Sequence, residues 1–369
     1  MSQEKRPAAW RGNRCAAAHG VACGDVCPRH VSPFLSVIIL AFSLLLPGGL
    51  FARDKEGGHV PAAHVPGSDP ALARAQSAPA PLASMTKAAP QVIMDDLGRP
   101  FPLPPSSPDR IVSMAPNVTE ILFALGLGDR VVGVTRYCDW PPEAKAIPKI
   151  GGLVDPNVEV IQSLDPDLVI AFRGNPLRLV ERIRKLGLPV FILDIGEGLE
   201  AVFPLIERIG RVTRTESRAA NLAAGLRRKL DAVDAALRGV LSKPKVLVLL
   251  YGQGLWTAGA ESYVNDLIGR AGAENVASFL PKKWSLYKRE RIIEDDPDAI
   301  FILARSAGDF TKGRDWLARM PGVDGIEAMK AGRIYELDEN AASRFGPRLV
   351  DVLGRMAALL HPDRFGGRT

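Results

Sequence analysis

An internal repeat constrains the fold of this chain more than any other feature. The passages EVIQSLDPDLVI, from Glu159, and ERIIEDDPDAIF, from Glu290, share a glutamate, an Asp-Pro-Asp triplet and their apolar positions. Glu159 and Glu290, like Asp165 and Asp296, stand 131 residues apart. In each copy a helical pattern stops at a proline and an apolar strand pattern follows. The repeat predicts two similar α/β lobes, each with one exposed glutamate at an equivalent place.

Strand and helix patterns alternate around both copies. A short extended pair with a turn at Leu97 and Gly98 comes first. In NVTEILFALGLG, Asn117 fits the helix N-cap, Glu120 the N3 position and Gly126 the C-cap. Strands are predicted in RIVSMAP, VVGV, DLVIAF, PVFILD, KVLVLLYG, AIFIL and RIYEL, and helices in NVTEILFALGLG, PLRLVERIRKLG, 263–269 and DWLARM. This alternation is typical of parallel α/β layers.

The run from Thr213 to Val240 has no proline and one interior glycine before its last turn. As one continuous helix of about 26 residues it would span roughly 40 Å, long enough to bridge two lobes. The predicted organisation is a leader (1–52), a flexible linker (53–90), an N-terminal lobe (91–212), an interlobe helix (213–241) and a C-terminal lobe (242–367).

The leader contains the apolar run VSPFLSVIILAFSLLLPGGLFA, Val31 to Ala52, behind Arg29. That pattern is typical of a secretory signal peptide, or of a single membrane anchor if it is retained, and predicts a periplasmic protein. Residues 53–90 have the Ala-, Pro- and Gly-rich composition of a linker. Without residues 1–52 the chain keeps 42 Lys/Arg against 39 Asp/Glu. This small surplus does not indicate nucleic-acid binding.

Few residue types suited to catalysis or metal binding remain after the linker. His361 is the single histidine and Cys138 the single cysteine beyond residue 90, and the chain has no G-x-x-x-x-G-K-[ST] loop. We therefore expect a non-enzymatic, monomeric body with no intramolecular disulfide, no catalytic residues and no metal site.

Aromatic residues gather where strands end. Six of them follow a predicted strand or precede a predicted helix: Tyr137, Trp140, Tyr251, Trp256, Trp284 and Tyr287. In open α/β sheets such loops form the ligand crevice. Taken together they predict a cleft with aromatic walls for a large flat ligand.

Four segments, RIVSMAPNVTEILFALGLGDRVVGVTRYCDWPPEA, PNVEVIQSLDPDLVIAF, WSLYKRERI and FGPRLVD, resemble the periplasmic substrate-binding proteins of cobalamin, haem and siderophore ABC importers, and most of all the cobalamin-binding branch. The resemblance covers roughly residues 91–365. It implies two Rossmann-like lobes joined by a single long rigid helix, with the ligand held in the cleft between them.

The resemblance also implies residue roles. The implied ligand contacts are Tyr137, Trp284 and the polar pair of Asn340 and Arg344. Asn117 is expected to face the same cleft, and Trp140, one of the strand-end aromatic residues, is expected to contact the ligand as well. Glu159 and Glu290 match the glutamates that dock on arginines of the membrane permease dimer. No cofactor is implied beyond the bound ligand, which is expected to be cobalamin.

Two positions depart from the cobalamin-binding pattern or stand out beside it. Leu153 stands where a cobalamin binder can carry a ligand-facing tryptophan. Cys138, a free thiol beside the cleft, is a candidate ligand for a cobalt or iron centre, with a partly buried thiol of no such role as the alternative. A haem or iron-siderophore carrier stays open as a second function, and an exported enzyme on a chelatase-like two-lobed fold as a third.

Overall fold

The computed structural model describes residues 91–252 and 254–366. The predicted leader (1–52) and linker (53–90) lie outside these residues. Within them, no helix combines the length and the apolar character needed to cross a membrane.

The N-terminal half is built on a four-stranded parallel sheet with the strand order β4-β3-β5-β6. A β1–β2 hairpin precedes it, with the predicted turn at Gly98 (φ +73°). The elements are β1 (Val92–Met94), β2 (Pro100–Pro102), β3 (Ile111–Ser113), α1 (Pro116–Ala124), β4 (Val131–Val134), α2 (Val158–Ser163), β5 (Leu168–Phe172), α3 (Leu177–Lys185), β6 (Val190–Leu193) and α4 (Val202–Val212).

The C-terminal half follows helix α5 and holds a six-stranded mixed sheet with the order β10-β8-β7-β11-β12, to which β9 adds beside β7. Strands β7, β11 and β12 are parallel, whereas β8 and β10 run antiparallel to their neighbours. The elements are α5 (Glu216–Leu237), β7 (Lys245–Leu250), β8 (Trp256–Ala258), α6 (Tyr263–Arg270), β9 (Glu274–Asn275), β10 (Trp284–Leu286), α7 (Arg289–Asp295), β11 (Ala299–Ala304), α8 (Ala307–Ala318), α9 (Glu327–Lys330), β12 (Ile334–Asp338), α10 (Glu339–Ser343) and α11 (Leu349–Leu360).

The internal repeat forms the same local structure in both lobes. After α2 and after α7 the chain turns through a left-handed aspartate, Asp165 (φ +44°) and Asp296 (φ +43°). The last aspartate of each triplet then accepts a hydrogen bond from a backbone N–H of a residue leading into the neighbouring strand: Asp167 from Arg110 (3.0 Å) and Asp298 from Lys245 (2.7 Å). The triplet therefore fastens β5 to β3 and β11 to β7, which confirms the predicted two-lobed α/β architecture.

The interlobe helix is shorter than predicted. Helix α4, an unpredicted element, ends at Val212, Arg214 adopts φ +55°, and α5 begins only at Glu216. One local and one tertiary contact hold the break: Thr215 N–H donates to Gly210 O (2.7 Å) at the helix end, and Arg214 Nε donates to Pro104 O (2.7 Å). The 22 residues of α5 span about 33 Å.

Helix α5 lies in a core that is continuous from one lobe to the other. It packs against α4 on the N-terminal side and α11 on the C-terminal side. Its buried positions, Ala219, Ala223, Leu226, Leu230 and Val233, belong to a single hydrophobic cluster with residues of both sheets. Since close-packed interiors resist deformation, this helix is a rigid support rather than a hinge.

The start of α1 also differs from prediction. The N-cap is Ala115 with Pro116 in the first turn, not Asn117, because proline is well suited to the first helical position. Glu120 does not reach back to the cap, since its carboxylate is bound by two arginines. At the other end Leu125 is the C-cap, and the predicted Gly126 follows it at φ +68°.

Candidate functional site

The loops that follow the parallel strands of the two sheets meet between the lobes. At one side of this interface Leu199 N–H, after β6, donates to Asp266 Oδ2 on α6 (2.8 Å), and Arg270 pairs with Glu200 (2.7 Å). At the other side Arg344, after α10, donates to the backbone oxygen of Tyr137 in the loop after β4 (2.9 Å). The carboxyl ends of strands therefore border an interlobe cleft, the usual position of a ligand site in α/β folds.

Arg344 is the centre of a buried polar network across this interface. Its side chain is 2% exposed. The guanidinium pairs with Asp139 (2.6 Å) and Glu120 (3.3 Å) of the N-terminal lobe, and donates to Asn340 Oδ1 (3.1 Å) of its own lobe. The predicted pair Asn340 and Arg344 is thus brought together, and two acidic residues of the other lobe neutralise the arginine.

Arg348, four residues further on at the start of α11, completes the network. It donates to both oxygens of Glu120 (2.7 and 3.1 Å) and pairs with Asp338 (3.3 Å). Although burial alone would lower it, the pKa of Arg348 is raised overall by the hydrogen bonds and the charge of Glu120. Glu120 is 3% exposed and holds two cations of the opposite lobe.

The predicted aromatic residues do not all lie at the interface, because Tyr251 and Tyr287 pack in a core cluster within the C-terminal lobe. Tyr137 is half-buried, with the Arg136 guanidinium 5.8 Å from its ring. Trp284 is buried and lines a pocket between the lobes, here called the floor pocket, which is formed by 195–198, 261–263, Lys283 and Trp284. Trp140 is instead 44% exposed in a lateral groove along α1, under the Arg348 guanidinium (4.6 Å from the ring centroid).

Strands β8 and β10 form an apolar wall beside the floor pocket. Leu286 lies opposite Trp256 in the antiparallel register, and Trp284 precedes Leu286 by two residues. The three side chains therefore lie on the same face of the sheet, which is the face that Trp284 presents to the N-terminal lobe. Leu286 is 61% exposed, so this wall remains open to a ligand.

Asn117 lies at the interface as an unusual buried donor. It is 6% exposed, and its Nδ2 has no hydrogen-bond partner within the described part of the chain. Gly346 of the C-terminal lobe faces it, since a Cβ added there would lie 3.9 Å from the Asn117 side chain. A buried amide donor of this kind costs free energy unless an acceptor reaches it.

Leu153 and Cys138 are both core residues. Leu153 is 1% exposed, so this position does not line the cleft. The Cys138 thiol is equally buried, accepts a hydrogen bond from Thr119 (3.1 Å) and lies 3.1 Å from the Thr135 hydroxyl. In residues 91–252 and 254–366 no group of three or more His, Cys, Asp or Glu side chains is placed to hold a metal ion.

We expect Cys138 to be unreactive in the folded protein. Burial raises the pKa of its thiol, and the thiolate is the reactive form. Treatment with iodoacetamide at pH 8 followed by peptide mapping should leave the Cys138 peptide unmodified in native protein and alkylated in urea. Rapid alkylation under native conditions would mean that the thiol reaches solvent.

Glu159 and Glu290 lie on the lobe surfaces, on the first turns of α2 and α7. Their side chains are 66% and 62% exposed. Glu159 pairs with Arg182 (2.6 Å) and Glu290 with Arg289 (2.8 Å). Both carboxylates are therefore accessible to a partner at repeat-related positions.

Several residues of the interface were not selected from the sequence. Glu120 had one available signal, a carboxylate inside the apolar run EILFAL, and Asp139 lies between the two aromatic residues of TRYCDWPP. Glu197 and Glu261 of the floor pocket carry no local pattern that distinguishes them. Only the packing of one lobe on the other brings these carboxylates to the site.

Two α/β lobes on a rigid helix, with strand-end loops around a cleft, define a two-lobed binding protein. Residues 111–341 match the periplasmic binding protein family, and the chain belongs to it. It is a substrate-binding protein of the kind that serves ABC importers, in a family of binding proteins rather than enzymes.

Individual relatives agree with this assignment. An uncharacterized ABC transporter substrate-binding lipoprotein of Bacillus subtilis, YvrC, is 29% identical over 74% of this chain and 87% of its own length. A vitamin B12-binding protein of Pectobacterium carotovorum is 26% identical over 66% and 85%. The periplasmic heme-binding protein RhuT from Roseiflexus, an apo structure, superposes with a TM-score of 0.63 at 30% identity, covering 69% of this chain and 99% of that one.

Proposed function

We propose that this protein is exported to the periplasm, captures a corrinoid, cobalamin, in its interlobe cleft and delivers it to the permease of an ABC importer. The carrying observation is that Arg344, the cation at the centre of the interface, is engaged by Asp139 and Glu120. A cleft whose arginine is neutralised internally suits a ligand with a neutral, amide-bearing periphery. The apolar wall of Trp256, Trp284 and Leu286 suits the flat face of a macrocycle.

Calorimetric titration of the purified protein with cyanocobalamin tests this proposal. We expect one-to-one binding, with Leu153 tolerated because it lies in the core rather than in the cleft. Haemin titrated in parallel is the comparison ligand. Binding of haemin without binding of cyanocobalamin would overturn the corrinoid assignment and leave the transport role.

Haem is the second candidate, and Tyr137 is the observation that favours it. A half-buried phenol at the cleft is a possible iron ligand, and one solved relative is a heme-binding protein. A Soret band that shifts in the Tyr137→Phe variant would support haem ligation. An unchanged spectrum in that variant would exclude this tyrosine as the ligand.

Glu159 and Glu290 are proposed as the docking points for the permease, one on each lobe. Exposed ion pairs contribute only about 0–1 kcal/mol each, but like charges brought together at an interface cost several. The double variant Glu159→Arg/Glu290→Arg should therefore lower ligand uptake in cells by about 10-fold or more. Its affinity for ligand in solution should be unchanged.

Glu207 provides the matched control for docking. It is 54% exposed and pairs with Arg227 (3.6 Å) on α5, away from α2 and α7. The Glu207→Arg variant should support normal uptake. Normal uptake by the double variant as well would rule out docking through the repeat-related glutamates.

A further inference from the structure

The floor pocket holds two carboxylates that have no partner in the described part of the chain. Glu197 comes from the loop after β6 in the N-terminal lobe, and Glu261 from the loop before α6 in the C-terminal lobe. Both are exposed, and neither makes a hydrogen bond or an ion pair with another described residue. Glu200, three residues after Glu197, differs because it pairs with Arg270 (2.7 Å).

The charges around this pocket are predominantly negative. Lys283 is the one cation that lines it, beside Glu197 and Glu261. Asp266 lies at its edge, where its carboxylate accepts a hydrogen bond from Leu199 N–H. A Cβ added to Gly198 would lie 3.3 Å from the same carboxylate. Arg344, at the other side of the interface, is already paired with Asp139 and Glu120. Among the described residues that line the pocket, Lys283 is therefore the one cation against two glutamates, and the nearby Arg270 is paired with Glu200.

Such a pocket distinguishes a carboxylate from an amide. A ligand carboxylate placed beside Trp284 would meet like charges from both lobes, and such juxtaposed like charges disfavour the ligand even where solvent weakens the repulsion. An amide N–H at the same place can donate to either glutamate, and hydrogen bonds to charged acceptors are stronger than neutral ones. Glu197 and Glu261 come from opposite lobes, so a ligand seated between the lobes meets both.

We propose that Glu197 and Glu261 are specificity-determining residues that admit ligands with peripheral amides and reject ligands with peripheral carboxylates. This inference rests on the proposed function of the cleft as a ligand site and specifies the chemical class that it accepts. Corrinoids with intact amides belong to the accepted class, and haem, with two carboxylates, belongs to the rejected one.

The test compares ligands that differ in one group. Cyanocobalamin and each of its monocarboxylate derivatives, in which one peripheral amide is hydrolysed, are titrated into the full chain, into Glu197→Gln/Glu261→Gln and into the control Glu200→Gln. In the unmodified protein we expect at least one monocarboxylate to bind about 10-fold more weakly than the amide. The double variant should reduce that ratio to about 3-fold or less, mainly by tightening the acid. Glu200→Gln should keep the ratio of the unmodified protein.

The salt dependence of the amide preference and the affinity for haemin are two further measurements, which would not change if Glu197 and Glu261 had only a structural role. Raising the salt concentration from about 20 to about 300 mM should weaken the preference for the amide, because salt screens interactions between partly exposed charges. The double variant should also bind haemin more tightly than the unmodified protein does. If both the monocarboxylate ratio and the haemin affinity are the same in the double variant, the inference is wrong. If the unmodified protein does not bind cyanocobalamin, the corrinoid proposal fails, and the haemin comparison alone decides the role of the two glutamates.

Discussion

Replacing Glu120 with glutamine is expected to lower the free energy of unfolding by about 3 kcal/mol. The carboxylate is 3% exposed and pairs with Arg344 and Arg348, whose side chains are 2% and 16% exposed. Glutamine preserves the volume of the side chain but removes its charge, which leaves two buried guanidinium groups with less compensation. Breaking a buried pair costs far more than removing an exposed one, because the remaining charge stays out of water.

Urea unfolding followed by circular dichroism measures this effect, and Glu143→Gln is its control. Glu143 belongs to the lateral groove that also contains Glu120 and Arg348, but it is exposed and makes no ion pair among the described residues. Its replacement should change stability by less than about 0.5 kcal/mol. Equal stability of the two variants would mean that the pairs across the interface contribute nothing net.

The fold could be predicted because its main signals are local. Alternating apolar strands and amphipathic helices are set by residues close together in sequence, and the repeated Asp-Pro-Asp gave the two-lobed plan. The break between α4 and α5 was missed for the opposite reason. Arg214 adopts a left-handed conformation although it is not a glycine, and its side chain donates a hydrogen bond to the backbone oxygen of Pro104, 110 residues away, which no local pattern encodes.

The residues of the candidate site fall into the same two groups, those with a local sequence signal and those placed by long-range contacts. Strand-end aromatic residues such as Tyr137 and Trp284 were identifiable, since their position relative to a strand is local information. The partners of Arg344 were not, because Glu120 lies 224 residues away from it and no sequence pattern encodes that pairing. The floor-pocket glutamates belong to this second group, because only the packing of one lobe on the other brings the two exposed carboxylates to one pocket.

Replacing Tyr137 with alanine is expected to weaken ligand binding by about 30-fold, the effect of losing one aromatic contact at the centre of an interface. The ring is half-buried beside the interface, whereas the backbone oxygen of Tyr137 accepts the hydrogen bond from Arg344. Because the backbone remains in the variant, the cross-lobe network should survive and the free energy of unfolding should fall by about 1 kcal/mol or less.

Comparison of the affinities of Tyr137→Ala and Tyr137→Phe separates the contribution of ring packing from that of the hydroxyl group. If the ring packs on a corrin face, phenylalanine should retain affinity for cyanocobalamin within about 3-fold, since the apolar area is preserved. If the phenol ligates iron, phenylalanine should lose haemin as severely as alanine does. Calorimetry on the three proteins, with urea unfolding alongside, therefore distinguishes the two ligand classes at one side chain. Equal cyanocobalamin affinity in all three would remove Tyr137 from the binding site, because a ring in contact with the macrocycle must contribute to its affinity.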